Sequence, residues 1–248
     1  MNERSDMPLE LAHLAGALLT NAYVSANIVD LWASSSAVSS EHWRSFTDSW
    51  FRLPPDMYMA DHGKYRSRRY SEFSIEPRLA KISLLPHRAF RQTKAVNYLN
   101  GGIDRVFAKI ESDTVNNEAF RAALIAFASL LELVESADSW HAQVFQNRIT
   151  ASPDSCGNPT PEGVHRDGVD YVFTMLSQRH NVVGGESSTY LAGQLIAAAT
   201  RTLERPGDFI LTNDNRTQHG VTPIRCADNV SEGYRDVMVV MCSAVKSH

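Results

Sequence analysis

The spacing of apolar residues along the chain changes near residue 140. Before that point, residues 9–34 and 117–137 carry apolar side chains at helical spacing. In the second segment, five apolar residues share one side: Phe120, Leu124, Phe127, Leu131 and Val134. This pattern predicts a helix that packs against a sheet. Between the two segments lie four prolines, the turn sequence NGG and the basic stretch 64–69, which we interpret as a solvated loop.

After residue 140, apolar residues recur at a spacing nearer two, which is typical of strands. Turn sequences rich in Gly, Pro, Asn and Asp separate the strand-like segments. Many short strands without intervening helices favour a barrel or jelly roll over a parallel α/β sheet. We therefore predict an α+β fold in a single domain, residues 1–248. Residues 1–140 are expected to form a mostly helical layer, and 141–248 a β-core.

The composition narrows the class of protein. Hydrophobic residues make up 43% of the chain and charged residues 21%, as in ordinary globular proteins. The net charge of -4 gives no electrostatic reason to expect nucleic-acid binding. Three cysteines without a CxxC pair argue against a disulfide framework or a thiolate zinc site. No signal peptide or membrane span is evident, so we expect a cytoplasmic protein, with a homodimer left open.

The stretch TPEGVHRDGVDYVF, residues 160–173, carries the first candidate chemistry. His165 and Asp167 stand two residues apart at the head of a strand-like run, and such positions share one face of a strand. An HxD pair alone is weak, but His219 follows a predicted strand and polar turn further along the chain. Two imidazoles and one carboxylate form the facial triad that binds Fe(II) in non-haem oxygenases.

An arginine completes this constellation. Arg235 enters a strongly apolar strand after His219, where an unpaired charge would be costly. A guanidinium suits the distal carboxylate of 2-oxoglutarate, because it can pair with both oxygens. Arg225, in TPIRCAD, is the rival anchor. The other interpretation of Arg235 is a solvent-facing residue at a strand edge.

At this point seven blocks resemble, in order, the Fe(II)/2-oxoglutarate dioxygenases that hydroxylate free L-amino acids, the family typified by bacterial L-isoleucine dioxygenase. They occupy residues 68–73, 90–107, 145–151, 159–173, 184–190, 206–224 and 233–240. No motif matches in the first sixty residues. The resemblance implies a double-stranded β-helix, a cupin-like jelly roll, with supporting N-terminal helices.

The resemblance also implies roles for individual residues. His165, Asp167 and His219 would bind iron, and Arg235 would bind 2-oxoglutarate. Two positions depart from the family pattern: Arg166 occupies the HxD spacer where an uncharged amide is common, and the segment before His219 lacks a second acidic residue.

Candidate substrate residues flank the motif. Glu162 could pair with a substrate ammonium group or be a turn carboxylate, and Arg166 lies near the pocket mouth. Gln146 and Arg148 could meet a substrate carboxylate or stabilise the fold. Asn97 and Arg105 bracket the NGG turn, and we expect them to support the helical layer rather than contact substrate.

The expected reaction is hydroxylation of a free L-amino acid, with isoleucine, leucine or methionine favoured, using Fe(II), 2-oxoglutarate and O₂. A derivatised or carrier-bound amino acid is the alternative substrate. A cupin-like enzyme with non-oxidative metal chemistry is a second alternative, although such an enzyme needs no 2-oxoglutarate anchor. A non-catalytic binding module is a third, against which the complete ligand set argues.

Overall fold

This computed structural model describes residues 9–32, 38–99, 101–228 and 230–246. In its N-terminal half, helices and strands are intermixed. The helices are α1 (Leu9–Asn21), α2 (Ile28–Trp32), α3 (Ser40–Asp48), α4 (Ser112–Val115) and α5 (Glu118–Glu132). The first six strands are β1 (Tyr23–Asn27), β2 (Arg66–Glu76), β3 (Lys81–Leu84), β4 (Ser139–Ala151), β5 (Tyr171–His180) and β6 (Val182–Gly184). The remaining strands are β7 (Glu186–Leu191), β8 (Ala199–Thr202), β9 (Asp208–Asn213), β10 (Thr217–Val221), β11 (Ile224–Cys226) and β12 (Gly233–Val245).

The predicted helix over 117–137 is present as α5. Asn117 caps it, because its side-chain oxygen accepts the backbone N–H groups of Ala119 and Phe120. Phe120 and Leu124, on its apolar face, are fully buried against the main sheet. Burying one such side chain contributes about 1.5–3 kcal/mol, so this face anchors the helical layer.

The strands form one large and two small antiparallel sheets. The large sheet has seven strands in the order β1-β9-β5-β12-β4-β2-β3. The small sheets have the orders β10-β7-β8 and β11-β6. Residues of β5 and β9 face residues of β7 and β10 across a narrow space, so a small sheet lies over one face of the large one. This two-layered arrangement is the α+β jelly roll that the sequence predicts.

The two faces of the large sheet have different partners. Along β12, Met238, Val240 and Cys242 pack with the helices in the largest hydrophobic cluster. The intervening Val237, Val239 and Met241 point to the opposite side, where a cavity lies. Since side chains alternate along a strand, odd positions of β12 line the cavity and even positions face the helices.

The expectation that residues 1–140 are mostly helical is wrong in two places. The helical pattern over 9–34 is interrupted at Ala22, whose φ is +68°, and residues 23–27 pair with β9 as the edge strand β1. The basic stretch 64–69, interpreted as a solvated loop, contributes most of its residues to β2, which pairs along β4. Arg66 and Arg68 are buried there because both form an ion pair with Asp56, and Arg68 also stacks on the ring of Phe107.

Among the described helices, none combines the length and apolar character that crossing a bilayer requires.

Candidate metal centre

Backbone pairing between two segments brings His165, Asp167 and His219 together. His219 is the central residue of β10, and His165 forms an isolated antiparallel bridge with it. In this bridge each backbone N–H donates to the other residue's carbonyl, with both N–O distances 2.9 Å. The expected strand head at His165 is wrong, since β5 begins only at Tyr171. Pairing with β10, rather than alternation along one strand, therefore aligns the imidazoles.

The three candidate ligands lie close enough to bind one ion. Asp167 Oδ1 is 3.7 Å from His165 Nε2, and Asp167 Oδ2 is 3.3 Å from His219 Nε2. One ligand atom from each residue lies within 4.8 Å of the other two. Neighbouring ligands of one ion, each bound at about 2.1 Å, lie about 3 Å apart, so small side-chain rotations suffice. The donor set and its spacing fit Fe(II), which these three side chains would hold.

The hydrogen bond and the charges around His165 favour binding of a cation at its Nε2 atom. Its Nδ1 lies 2.9 Å from the carbonyl oxygen of Gly163, so Nδ1 carries the proton and Nε2 faces the site. Burial lowers the pKa of His165, but the carboxylates of Asp167 and Glu162 outweigh burial and raise it to about 9. Burial opposes ionisation of Asp167, yet the two imidazoles hold its pKa far below its ordinary value. A metal ion would replace the imidazole proton between these carboxylates.

Asp214, in the turn between β9 and β10, holds the loop that carries Asp167. Its fully buried carboxylate accepts backbone N–H groups of Asp167, Gly168 and Val169 at 3.1, 2.7 and 3.2 Å. The same turn leads into His219, so one acidic residue joins both ligand-bearing segments. Sequence reasoning passed over Asp214, although its place in the polar turn before His219 was a usable signal.

Two further contacts shape the Asp167 loop. Gly168 has a φ of +79°, which favours glycine, and a Cβ there would lie 2.8 Å from a methyl group of Val96. The side-chain amide of Gln92 donates to the backbone carbonyl of Asp167 at 3.2 Å. The loop is therefore held from both sides.

A cavity adjoins the three ligands, with walls from β2, β4, β10 and β12 and from loop residues. Its apolar lining consists of Phe90, Phe145, Ile149, Pro159, Val221, Val237, Val239 and Met241. Its polar lining includes Glu162 and Arg235 in addition to the ligands. Such a mixture of apolar surface and a few charged groups is typical of sites for small molecules.

Arg235 reaches this cavity from β12 and is 1% exposed. Among the described residues, its Nε and Nη2 have no hydrogen-bond partner. Burial and the neighbouring guanidinium of Arg179 lower the pKa of Arg235 to about 10, so the group remains charged near neutral pH. Gly185 leaves room for it, since a Cβ there would lie 3.1 Å from Arg235 Cδ. A buried guanidinium without a partner is a site for an anion.

The other arginines and the glutamate proposed from sequence have different positions. Glu162 lines the cavity, with Oε1 3.6 Å from His165 Nε2. Arg225 is exposed on β11 and does not line the cavity. Arg166 points toward the outer turn, where its Nη2 donates to Asn215 Oδ1 at 3.0 Å. Of this group, the structure brings Glu162 alone into the cavity.

The prediction that Gln146 or Arg148 meets the substrate is contradicted by the register of β4. Both side chains face the helical layer: Gln146 donates to Ser49 Oγ at 2.7 Å, and Arg148 makes a two-pronged contact with Asp236 at 2.7 and 2.6 Å. Asn147, one position between them, lines the cavity instead. The strand is buried on both faces, so its sequence did not reveal which alternate set faced inward.

Two further arginines that line the cavity, Arg66 and Arg68, were not predicted from the sequence as site residues. Asn97 and Arg105, expected to support the helical layer, are cavity residues as well. The alternation of Arg66, Arg68 and Tyr70 along β2 was a signal for an inward face, but a basic stretch is more often a solvated surface.

Comparisons with known proteins agree with this geometry. A family model described as 2OG-Fe dioxygenase, where 2OG denotes 2-oxoglutarate, matches residues 47–241. Over 161 residues the chain is 27% identical to 3(1)-hydroxy-L-isoleucine 4-dioxygenase of Pantoea ananatis. That match covers 61% of this chain and 62% of the Pantoea enzyme, less than two thirds of its length.

Two solved structures share the fold over nearly the whole chain. A BsmA homologue from Methylobium petroleophilum superposes with a TM-score of 0.86 at 26% identity, covering 98% of this chain and 96% of that one. The Fe(II)/α-ketoglutarate-dependent dioxygenase TqaL superposes with a TM-score of 0.75 at 18% identity, covering 96% and 89%. The second likeness shows a shared fold alone, and together they confirm the predicted jelly roll.

Proposed function

Because this chain belongs to the 2OG-Fe dioxygenase family, we propose that it hydroxylates a free L-amino acid with an aliphatic side chain. The enzyme is a 2-oxoglutarate-dependent non-haem iron dioxygenase that uses Fe(II), 2-oxoglutarate and O₂. When bound, these groups supply an oxidant that hydroxylates a C–H bond, with release of succinate and CO₂. The single observation that carries the proposal is one cavity that unites the His–Asp–His group, an unpaired arginine, a carboxylate and an apolar wall.

Four residues of this chain would hold the cofactor and co-substrate. His165, Asp167 and His219 present their donor atoms to one point, and Arg235 offers an unpaired guanidinium in the same cavity. We assign Arg235 to the distal carboxylate of 2-oxoglutarate, because a carboxylate would satisfy its two free N–H donors. Arg225 is set aside because it is exposed and outside the cavity.

The remaining lining suits an aliphatic amino acid. Val237, Val239 and Met241 form an apolar strip along β12, and Phe145 and Ile149 continue it on β4. This surface would bind an aliphatic side chain and exclude water from it. Glu162, which lies beside the metal ligands, would pair with the substrate ammonium group. The substrate would thus be oriented at both ends before reaction.

A substrate screen tests the proposal. Anaerobically purified protein is given Fe(II), 2-oxoglutarate and single L-amino acids, O₂ is admitted, and succinate is measured. We expect succinate formation to rise strongly with at least one of isoleucine, leucine or methionine. Stimulation by no free amino acid, with stimulation by N-acylated or thioester-linked ones, would refute the free-substrate assignment.

Arg235→Gln tests the co-substrate assignment, with Arg225→Gln as the matched control. Loss of a charge-assisted pair worth about 1.5–3 kcal/mol corresponds to an approximately 10- to 100-fold higher KM for 2-oxoglutarate. The control should keep the wild-type KM, because Arg225 is exposed. An unchanged KM in Arg235→Gln would transfer the role to another cation.

A further inference from the structure

The cavity contains a second group of cations, which we call the arginine wall: Arg66 and Arg68 on β2, and Arg105. All three are buried, with exposures of 6, 8 and 3%. Arg105 lies in a loop that forms an isolated bridge with Phe90. None of these three arginines is a candidate metal ligand or the residue assigned to 2-oxoglutarate.

Counter-ions for the arginine wall are too few. The carboxylate of Asp56 serves both β2 residues, with Oδ2 2.8 Å from Arg66 Nε and 2.9 Å from Arg68 Nε. No carboxylate of the described residues forms an ion pair with Arg105. That guanidinium instead donates from Nη2 to Gln92 Oε1 at 2.9 Å, stacks on the Phe90 ring at 4.7 Å and leaves Nε without a partner.

This imbalance points to an anionic ligand. Burial and the neighbouring guanidinium of Arg66 lower the pKa of Arg105, and they lower that of Arg68 to about 9. Glu162 acts in the opposite direction on both, so the substrate-side carboxylate lies within electrostatic reach of the wall. One additional carboxylate in the cavity would relieve the deficit.

We infer that Arg105, assisted by Arg68, binds the α-carboxylate of the substrate, and that the enzyme therefore selects amino acids whose carboxyl group is free. The inference rests on the proposed function and specifies its substrate class. Arg105 forms the charge-assisted contact, while Arg68, shared with Asp56 and stacked on Phe107 and Phe145, adds a second positive charge. An amide, ester or thioester lacks the negative charge that this wall requires.

The test compares each acid with its primary carboxamide. Anaerobic protein loaded with Fe(II) and 2-oxoglutarate is titrated calorimetrically with L-isoleucine, L-leucine and L-methionine, and with their carboxamides. Wild-type protein should bind the acids about 10- to 100-fold more tightly than the amides. Arg105→Gln should bind the acids more weakly by a similar factor. The affinities of acid and amide for this variant should then differ by a few-fold or less.

Matched variants separate this role from a structural one. Arg91→Gln removes an exposed arginine that neighbours the same bridge and pairs with Asp104, so it should keep the wild-type acid–amide ratio. Arg105→Lys, which keeps the charge, should fall between wild type and Arg105→Gln and decides the matter if Arg105→Gln does not fold.

The outcomes are distinct. If acid and amide bind wild-type protein equally, or if Arg105→Gln and Arg105→Lys both keep the wild-type ratio, the inference is overturned while the proposed function stands. If neither acids nor amides bind or stimulate 2-oxoglutarate consumption, the proposed function fails and the inference with it. A loss of 2-oxoglutarate affinity in Arg105→Gln, with unchanged acid–amide ratio, would assign Arg105 to the co-substrate instead.

Discussion

Replacing Asp214 with asparagine removes the charge that joins the two segments of the candidate metal centre. The carboxylate accepts three backbone N–H groups in the Asp167 loop, at 2.7 to 3.2 Å, and its side chain is fully buried. An asparagine side chain has the same shape but one acceptor oxygen instead of two. Whichever way the amide is oriented, at least one of the three donors loses its partner.

The magnitude follows from these contacts. A buried donor without a partner costs about 1–3 kcal/mol, and loss of the charge from the remaining contacts adds roughly 1 kcal/mol. We therefore expect Asp214→Asn to lower the free energy of unfolding by about 2–4 kcal/mol. If half of that appears as disorder in the Asp167 loop, Fe(II) should bind about 5- to 30-fold more weakly.

Anaerobic calorimetric titration with Fe(II), together with thermal unfolding, checks both effects. Asp228→Asn is the control, because Asp228 also accepts two backbone N–H groups, from Val230 and Ser231, but in an exposed turn outside the cavity. Fe(II) affinity equal to that of the control would show that Asp214 does not position the Asp167 loop.

Three further substitutions probe the loop, the core and a buried ion pair. Gly168→Ala forces a side chain into a backbone with φ +79° and against Val96, so the melting temperature should fall. Adding Val96→Ala should relieve the steric clash but not the backbone strain of about 1–2 kcal/mol. Phe120→Ala, in fully buried α5 packing, should cost about 3–5 kcal/mol in urea unfolding, and a cost near zero would contradict the packing described. Burial raises the pKa of Asp56, but its two arginine neighbours outweigh burial and hold it below the ordinary 3.8. Because its pKa is lower in the folded state, Asp56 stabilises the fold above about pH 4 and loses this effect at lower pH, so Asp56→Asn should flatten the acid side of the stability profile.

The sequence pointed to the candidate metal ligands for a partly mistaken reason. Residue types and order pointed to His165, Asp167 and His219, yet strand alternation does not align them. The bridge between His165 and His219 and the carboxylate of Asp214 do so, and both depend on pairing between segments some fifty residues apart. Such pairing is set by the tertiary fold and has no local sequence pattern.

Buried charge explains why other features were missed. Arg235 could be recognised from the sequence as a buried cavity residue because it interrupts an apolar strand. Arg66 and Arg68, in contrast, lie in a stretch whose composition resembles a surface loop. Their counter-ion, Asp56, belongs to another segment, and the aromatic rings beneath Arg68 come from two further ones. For Arg148, the partner Asp236 lies 88 positions away, so no local pattern indicated that it faces the helices.

Because side chains alternate along β12, neighbouring residues of this strand contact different parts of the protein. Substitutions at 237, 239 and 241 change the wall of the cavity, while those at 238, 240 and 242 change the packing of the helices on the sheet. A variant library restricted to the first set would therefore change the cavity wall and leave the side chains that pack against the helices as they are. A one-residue insertion near the start of the strand would exchange the two sets, and it would disable recognition and folding together.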